Sequence, residues 1–170
     1  EADLRKIASE MAQRYRQPIL AEKFLPGREF TVALLGEKRP RVLPPMEVVL
    51  PAKTEKFPIY SFEGKFFSKE ITFEVPANIS PELKRQLESA ARSVFSTLGC
   101  RDIARVDFRL DENGKPNFIE LNPLPGLTPG FSDFCVIAAS VGMDYRTLVG
   151  EILAPALRRM REMSRKKILE

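Results

Sequence analysis

Apolar residues along this chain recur with two different periods, and the changes of period mark out its elements. Over residues 1 to about 17, Leu4, Ile7, Ala8, Met11, Ala12 and Tyr15 fall on one helical stripe, which Pro18 closes. Strand-like segments follow: Ile19–Leu25 and Glu29–Leu35 read as two strands around a Pro26-Gly27 turn, and Arg41–Leu50 as a third, rich in Val, Leu and Met. From Pro51 to Glu70 neither period holds. Loops of this length in compact domains are functional or disordered, and aromatics scattered through this one argue against plain disorder. A flap carrying Lys56, Lys65 and Lys69 over an anionic ligand fits the segment, and so does a surface insertion.

Ser80-Pro81 opens the clearest helix, with a hydroxyl to cap it and proline at its first position. Leu83, Leu87, Ala90, Ala91, Val94, Phe95 and Leu98 form its buried stripe, and Gly99 ends it. It leads into DIARVDFRLDENGKPNFIELNPLPG, two arms joined at Asn113-Gly114, a dipeptide suited to a tight hairpin. Alternation sets Arg105, Asp107 and Arg109 on one face of the first arm, with Val106, Phe108 and Leu110 on the other. On the second arm Phe118, Glu120 and Asn122 share a face, opposite Ile119 and Leu121. A two-residue turn pairs Glu112 with Lys115, and so places Asp107 across from Glu120 and Arg105 across from Asn122. A slip of one residue would turn the polar face inward. After the Pro/Gly loop PLPGLTPGF, Ser132-Asp133 offers a cap for a helix near Phe134–Val141, whose first N–H groups form an anion seat. Gly142 breaks that helix, and Tyr145 to about Arg165 is a last amphipathic one. The class is α+β, an antiparallel sheet covered by helices.

The length of 170 residues is enough for one domain with a real core. A net charge of +4 is too mild to argue for nucleic acid, and the basic run Arg158–Lys167 reads as a solvated helix face. Two cysteines, Cys100 and Cys135, lack metal-ligand spacing, which makes a reduced, cytoplasmic protein the default. No histidine is present, which removes histidine triads, most zinc sites and imidazole acid–base catalysis. No apolar run approaches the roughly 18 residues of a membrane span. The chain opens at Glu1 within the first helical stripe and without Met, the pattern of a segment from a longer protein.

The hairpin's polar face gathers two carboxylates, an amide and a guanidinium. Oxygen ligands of this kind suit a hard cation, Mg²⁺ before Zn²⁺, completed by phosphate oxygens. A solvated strand face with an arginine–carboxylate pair is the plain alternative.

The blocks AEKFLPGREFTVALLG, YSFEGKFF, STLGCRDIARVDFRLD, FIELNPLPGLTPG and MDYRTLVGEIL, in that order, resemble the C-terminal part of the ATP-grasp fold, closest to the D-alanine–D-alanine ligase family. The resemblance implies an ATP- and Mg²⁺-dependent carboxylate–amine ligase that works through an acyl phosphate and supplies peptidoglycan precursors. Its partners would be ATP and small amino acids, without nucleic acid or membrane, in a parent that could be a homodimer. By position, Glu22, Lys23, Phe24 and Leu25 would line the adenine site and Glu29 would hold the ribose. Asp107, Glu120 and Asn122 would bind two Mg²⁺ ions, with Mn²⁺ as a substitute. Arg105 and the backbone N–H of Gly126 would stabilise the acyl phosphate and tetrahedral intermediate, and Lys65 would approach the γ-phosphate. The expected organisation is a single, incomplete ATP-grasp domain over 1–170 with a flap-like loop at about 51–70, inactive as a fragment.

The chain departs from the family pattern in three places. Phe66 stands where many members carry Tyr, Pro123-Leu124 replaces small polar residues, and Ser132 is the candidate for the serine that binds substrate carboxylate. The first and second leave open a ligase for other amino acids or a hydroxy acid. A non-catalytic binding module is the remaining alternative. It predicts that Arg105, Asp107 and Glu120 pair with one another.

Overall fold

β1 (Glu29–Gly36) is the strand on which the sheet is built, buried along almost its whole length. The computed structural model describes residues 2–50 and 71–169. Among them, β1 is flanked on one side by β5 (Asp102–Leu110) and β6 (Pro116–Asn122). On its other side lie β2 (Arg41–Val42), β3 (Met46–Val49) and β4 (Thr72–Glu74), and every pairing is antiparallel. Helices α1 (Ala2–Tyr15), α2 (Pro81–Thr97), α3 (Asp133–Ser140) and α4 (Tyr145–Leu169) complete the described elements. The flap expected over residues 51–70 lies outside them.

Strict alternation on the central strands gives the sheet two unlike faces. Phe30, Val32, Leu34, Ala104, Val106, Phe108 and Leu110 pack against Leu87, Ala91 and Phe95 of α2. The opposite face carries Ala33, Leu35 and Ile103 beneath Phe134, Ile137 and Ala138 of α3 and Leu148 of α4. α2 begins as its sequence requires: Ser80 Oγ accepts the N–H of Leu83, and Pro81 is the first helical residue. Leu98, expected in its buried stripe, is instead the C-cap and exposed, because the helix ends before its side chain turns inward.

Several expectations are corrected. Among the described residues Ile19–Leu25 pairs with no strand, and Pro18 and Pro26 at its two ends lack N–H donors. Arg41–Leu50 is broken in two because Pro44 and Pro45 have no N–H for the ladder; β2 and β3 each pair with β1, on either side of that corner. β4, a short exposed edge strand, carries too weak an alternation to be read in advance. The α1 stripe is present, but Leu4, Ile7, Met11 and Tyr15 are exposed. The basic run of α4 is not wholly solvated either, because Arg159 reaches Asp102 at 2.7 Å and Glu37 at 3.4 Å.

Candidate active site

One face of the sheet changes character half-way along β1 and β5. Ala33, Leu35 and Ile103 are core under α3 and α4. Beyond them the same face presents Thr31 and Glu29 on β1, and Arg105, Asp107 and Arg109 on β5. The register sets Ala33 opposite Arg105, Thr31 opposite Asp107 and Glu29 opposite Arg109. The polar residues therefore lie where the helices end, with a packed sheet behind them.

Across the β5–β6 pair, Asp107 faces Glu120 and Arg105 faces Asn122, the expected arrangement. It arises by a different route. The turn is one residue longer than a two-residue hairpin: Asp111 N–H donates to Lys115 C=O, and Gly114 takes φ +76°. Asp111 Oδ1 accepts the N–H groups of Asn113 and Lys115, which locks the loop. That shift is cancelled by a bulge between Asp107 and Phe108 that leaves Ile119 as the extra residue. Phe118 thus pairs with Phe108, at a ring separation of 6.5 Å, and does not share the face of Glu120 as alternation alone predicts.

The patch is tightly bonded. Arg105 Nε and Nη2 donate to the two oxygens of Asp107 at 3.0 and 2.8 Å. Nη1 donates to Asp133 at 3.1 Å, and Nη2 lies 3.8 Å from Glu120. Thr31 Oγ1 donates a short hydrogen bond to Asp107. Asn122 Nδ2 donates to Glu120 at 2.8 Å and to Asp107 at 3.3 Å. Burial alone would lower the Arg105 pKa, but the hydrogen bonds to Asp107 and the charges of Asp107, Asp133 and Glu120 outweigh it and raise it. Among the described residues, no three carboxylates, thiols or imidazoles converge as a complete metal cage. The donor set does fit a hard cation that keeps outside ligands: two carboxylates on facing strands and an amide that presents its oxygen after half a rotation. The guanidinium now occupies the cationic position between those carboxylates.

Glu22, Lys23, Phe24, Leu25 and Glu29, the residues of the implied nucleotide site, line one cleft of ≈ 630 Å³ together with Arg109, Asn117, Phe118 and Ile119. The segment is held there by backbone contacts: Gly27 N–H donates to Leu110 C=O at 3.0 Å, and Leu110 N–H donates to Arg28 C=O at 2.9 Å. Lys23 Nζ is turned outward onto Glu112 at 2.8 Å. Arg109 lies 3.2 Å from Glu29 and 4.8 Å above the Phe24 ring. Burial pushes the Glu29 carboxyl above the usual carboxylate range, opposed by the charge of Arg109.

Ser132 is buried at the N-cap of α3, and its Oγ accepts the N–H of Thr128 at 2.9 Å instead of capping the helix. It braces the loop that carries Gly126, where a β-carbon would come within 2.9 Å of that hydroxyl. Lys65 and Phe66 lie outside the described residues. Sequence reasoning missed Thr31, Arg109 and Asp133 as members of the site. Alternation with Glu29 and Asp107 signals the first two, whereas nothing local signals Asp133.

A family model described as "D-ala D-ala ligase C-terminus" matches residues 1–154. The chain is 37% identical over 161 residues to the D-alanine–D-alanine ligase of Bordetella pertussis, covering 94% of this chain and 49% of the relative. It is 32% identical to that of Streptococcus mutans, with 89% and 42% covered. The crystal structure of the D-alanine–D-alanine ligase of Bacillus anthracis complexed with ATP superposes with a TM-score of 0.75 at 26% identity, over 96% of this chain and 49% of that one. The chain thus spans about half the length of these relatives.

Proposed function

Because the chain belongs to the D-alanine–D-alanine ligase family, matching its C-terminal part, we propose that it is the nucleotide- and metal-binding half of an ATP- and Mg²⁺-dependent carboxylate–amine ligase. The substrates are small amino acids of the D-alanine type, and the product is a peptidoglycan precursor. The observation that carries this reading is the pairing of Asp107 with Glu120 on the sheet face that also carries Glu29, one of the residues lining the adjoining cleft.

Glu22 and the backbone around Lys23–Leu25 would receive adenine against Phe24, and Glu29 would accept the ribose hydroxyls. Asp107, Glu120 and Asn122 would hold the divalent cation. When bound, that ion neutralises phosphate oxygens during in-line transfer to the substrate carboxylate, which requires no protein nucleophile. Arg105 and the Gly126 N–H would supply positive charge to the acyl phosphate and to the oxyanion formed when the amine attacks it. One well-placed donor of this kind is worth roughly 3–4 kcal/mol. Lys65 would approach the γ-phosphate and Phe66 the substrate, and the chemistry requires that water be kept from the acyl phosphate.

A second reading, a retained fold that binds without catalysing, is favoured by the pairing of Arg105 with Asp107 and its approach to Glu120. Substitution in the full-length protein separates the two. Asp107→Ala and Glu120→Ala abolish ADP release while each thermal unfolding midpoint stays close to wild type. Wild-type turnover in either variant removes the metal assignment, and a wild-type protein that releases no ADP with any amino or hydroxy acid favours the binding module.

A further inference from the structure

Arg105 has three nitrogens and spends them in two directions. The Nε/Nη2 edge clasps Asp107 at 3.0 and 2.8 Å, and Nη1 points the other way to Asp133 at 3.1 Å. The planar guanidinium cannot bend, so one contact can be released while the other acts as a pivot. The two carboxylates also differ in what holds them. Asp107 shares its face with Glu120 and Asn122, the candidate cation ligands. Asp133 is the first residue of α3, and its side chain is only 4% exposed. Its neighbour Phe134, with Ile137 and Ala138, is embedded in the core, so the α3 backbone fixes where the carboxylate stands.

We propose that Asp133 is the positioning residue for Arg105: when a divalent cation takes the Asp107 carboxylate, Asp133 retains the guanidinium by Nη1 and leaves its Nε/Nη2 edge free to meet the anionic substrate. The inference rests on the ligase reading above and extends it to a residue that reading does not use. Electrostatics sets the direction. A cation between Asp107 and Glu120 repels the guanidinium now bonded to Asp107, and without a second anchor a long side chain would leave the site or keep competing for Asp107. Three carboxylates face one arginine in this patch, so Asp133 still neutralises Arg105 after the other two turn to the metal.

Arginine side-chain ¹⁵N NMR on the full-length protein tests this, with the Arg105 signals assigned through Arg105→Lys. In the wild type, Mg²⁺ with ATP shifts the Nε and Nη2 resonances while the Nη1 resonance stays in place and resolved, since its bond prevents rotation of the guanidinium. In Asp133→Asn the Arg105 signals remain sharp without metal, held by Asp107, and collapse by exchange once Mg²⁺ and ATP are added. Its kcat falls by about 10- to 100-fold, as for other groups that orient a residue of a metal site, while KM for ATP changes less than threefold. If Asp133→Asn does not fold, the wild-type spectra alone decide. Movement of Nη1 on adding Mg²⁺ and ATP, or Asp133→Asn signals that follow wild type under both conditions, overturns the proposal. No response of any Arg105 nitrogen in the wild type overturns the ligase reading instead.

Discussion

The N–H of Gly27 donates to the carbonyl of Leu110 at 3.0 Å, and a β-carbon on Gly27 would stand 2.6 Å from that oxygen and from Leu110 Cβ. The segment that lines the cleft is therefore seated on the end of β5 by a backbone approach that only glycine permits. Gly27→Ala forces the two apart. Overpacking of this kind costs about 1–3 kcal/mol, and the displaced residues Glu22–Leu25 should bind ATP more weakly. A urea midpoint and a nucleotide titration on the same variant check both parts, and an unchanged ATP affinity would detach the cleft from the nucleotide.

Glu29 gives a pH dependence with a definite sign. Its folded pKa is raised, first by burial, against the pull of Arg109. A raised carboxyl contributes stability at pH values below its unfolded pKa, about 4.3, and loses that contribution as the pH rises through its folded pKa. Glu29→Gln removes this loss, so its stability profile from about pH 4 upward should be flatter than that of wild type. Denaturant melts across that range supply the comparison.

Arg159 ties α4 to the start of β5 through Asp102, whose carboxyl its hydrogen bonds hold below the usual range. A lowered carboxyl contributes stability above its unfolded pKa and loses it as the pH falls through its folded value. Arg159→Ala should lower the thermal midpoint at neutral pH, and the difference from wild type should vanish in strong acid. A constant difference at all pH values would mean that packing of the arginine stem, not the ion pair, is what α4 loses.

The chain covers about half of its relatives' length, and the ligase reading proposed above assigns residues 1–170 the nucleotide- and metal-binding half. Residues 1–170 alone should bind ATP weakly and form no product. Calorimetric titration followed by a coupled assay for ADP measures both, and tight binding with turnover would show that this half is sufficient.

How much of this was legible beforehand depends on the range of the forces involved. α2 could be read almost to the residue, because its cap, its proline and its apolar stripe all lie within the helix. A two-residue turn predicts the Asp107–Glu120 pairing, and the structure attains it by a turn one residue longer and a one-residue bulge that cancel. Burial of one sheet face demands the outcome without dictating the route. Ile19–Leu25 has strand-like residues yet forms none, because extended backbone becomes strand only beside a partner edge. Asp133 stands 28 positions from Arg105, and α3 packing on the sheet brings them together. The sequence by itself determined the helices, the faces of the central strands and the donors that could meet on them. Tertiary structure alone decided which extended segments found partners and which carboxylate holds the guanidinium, because those contacts join residues that no local hydrogen bond or periodicity relates.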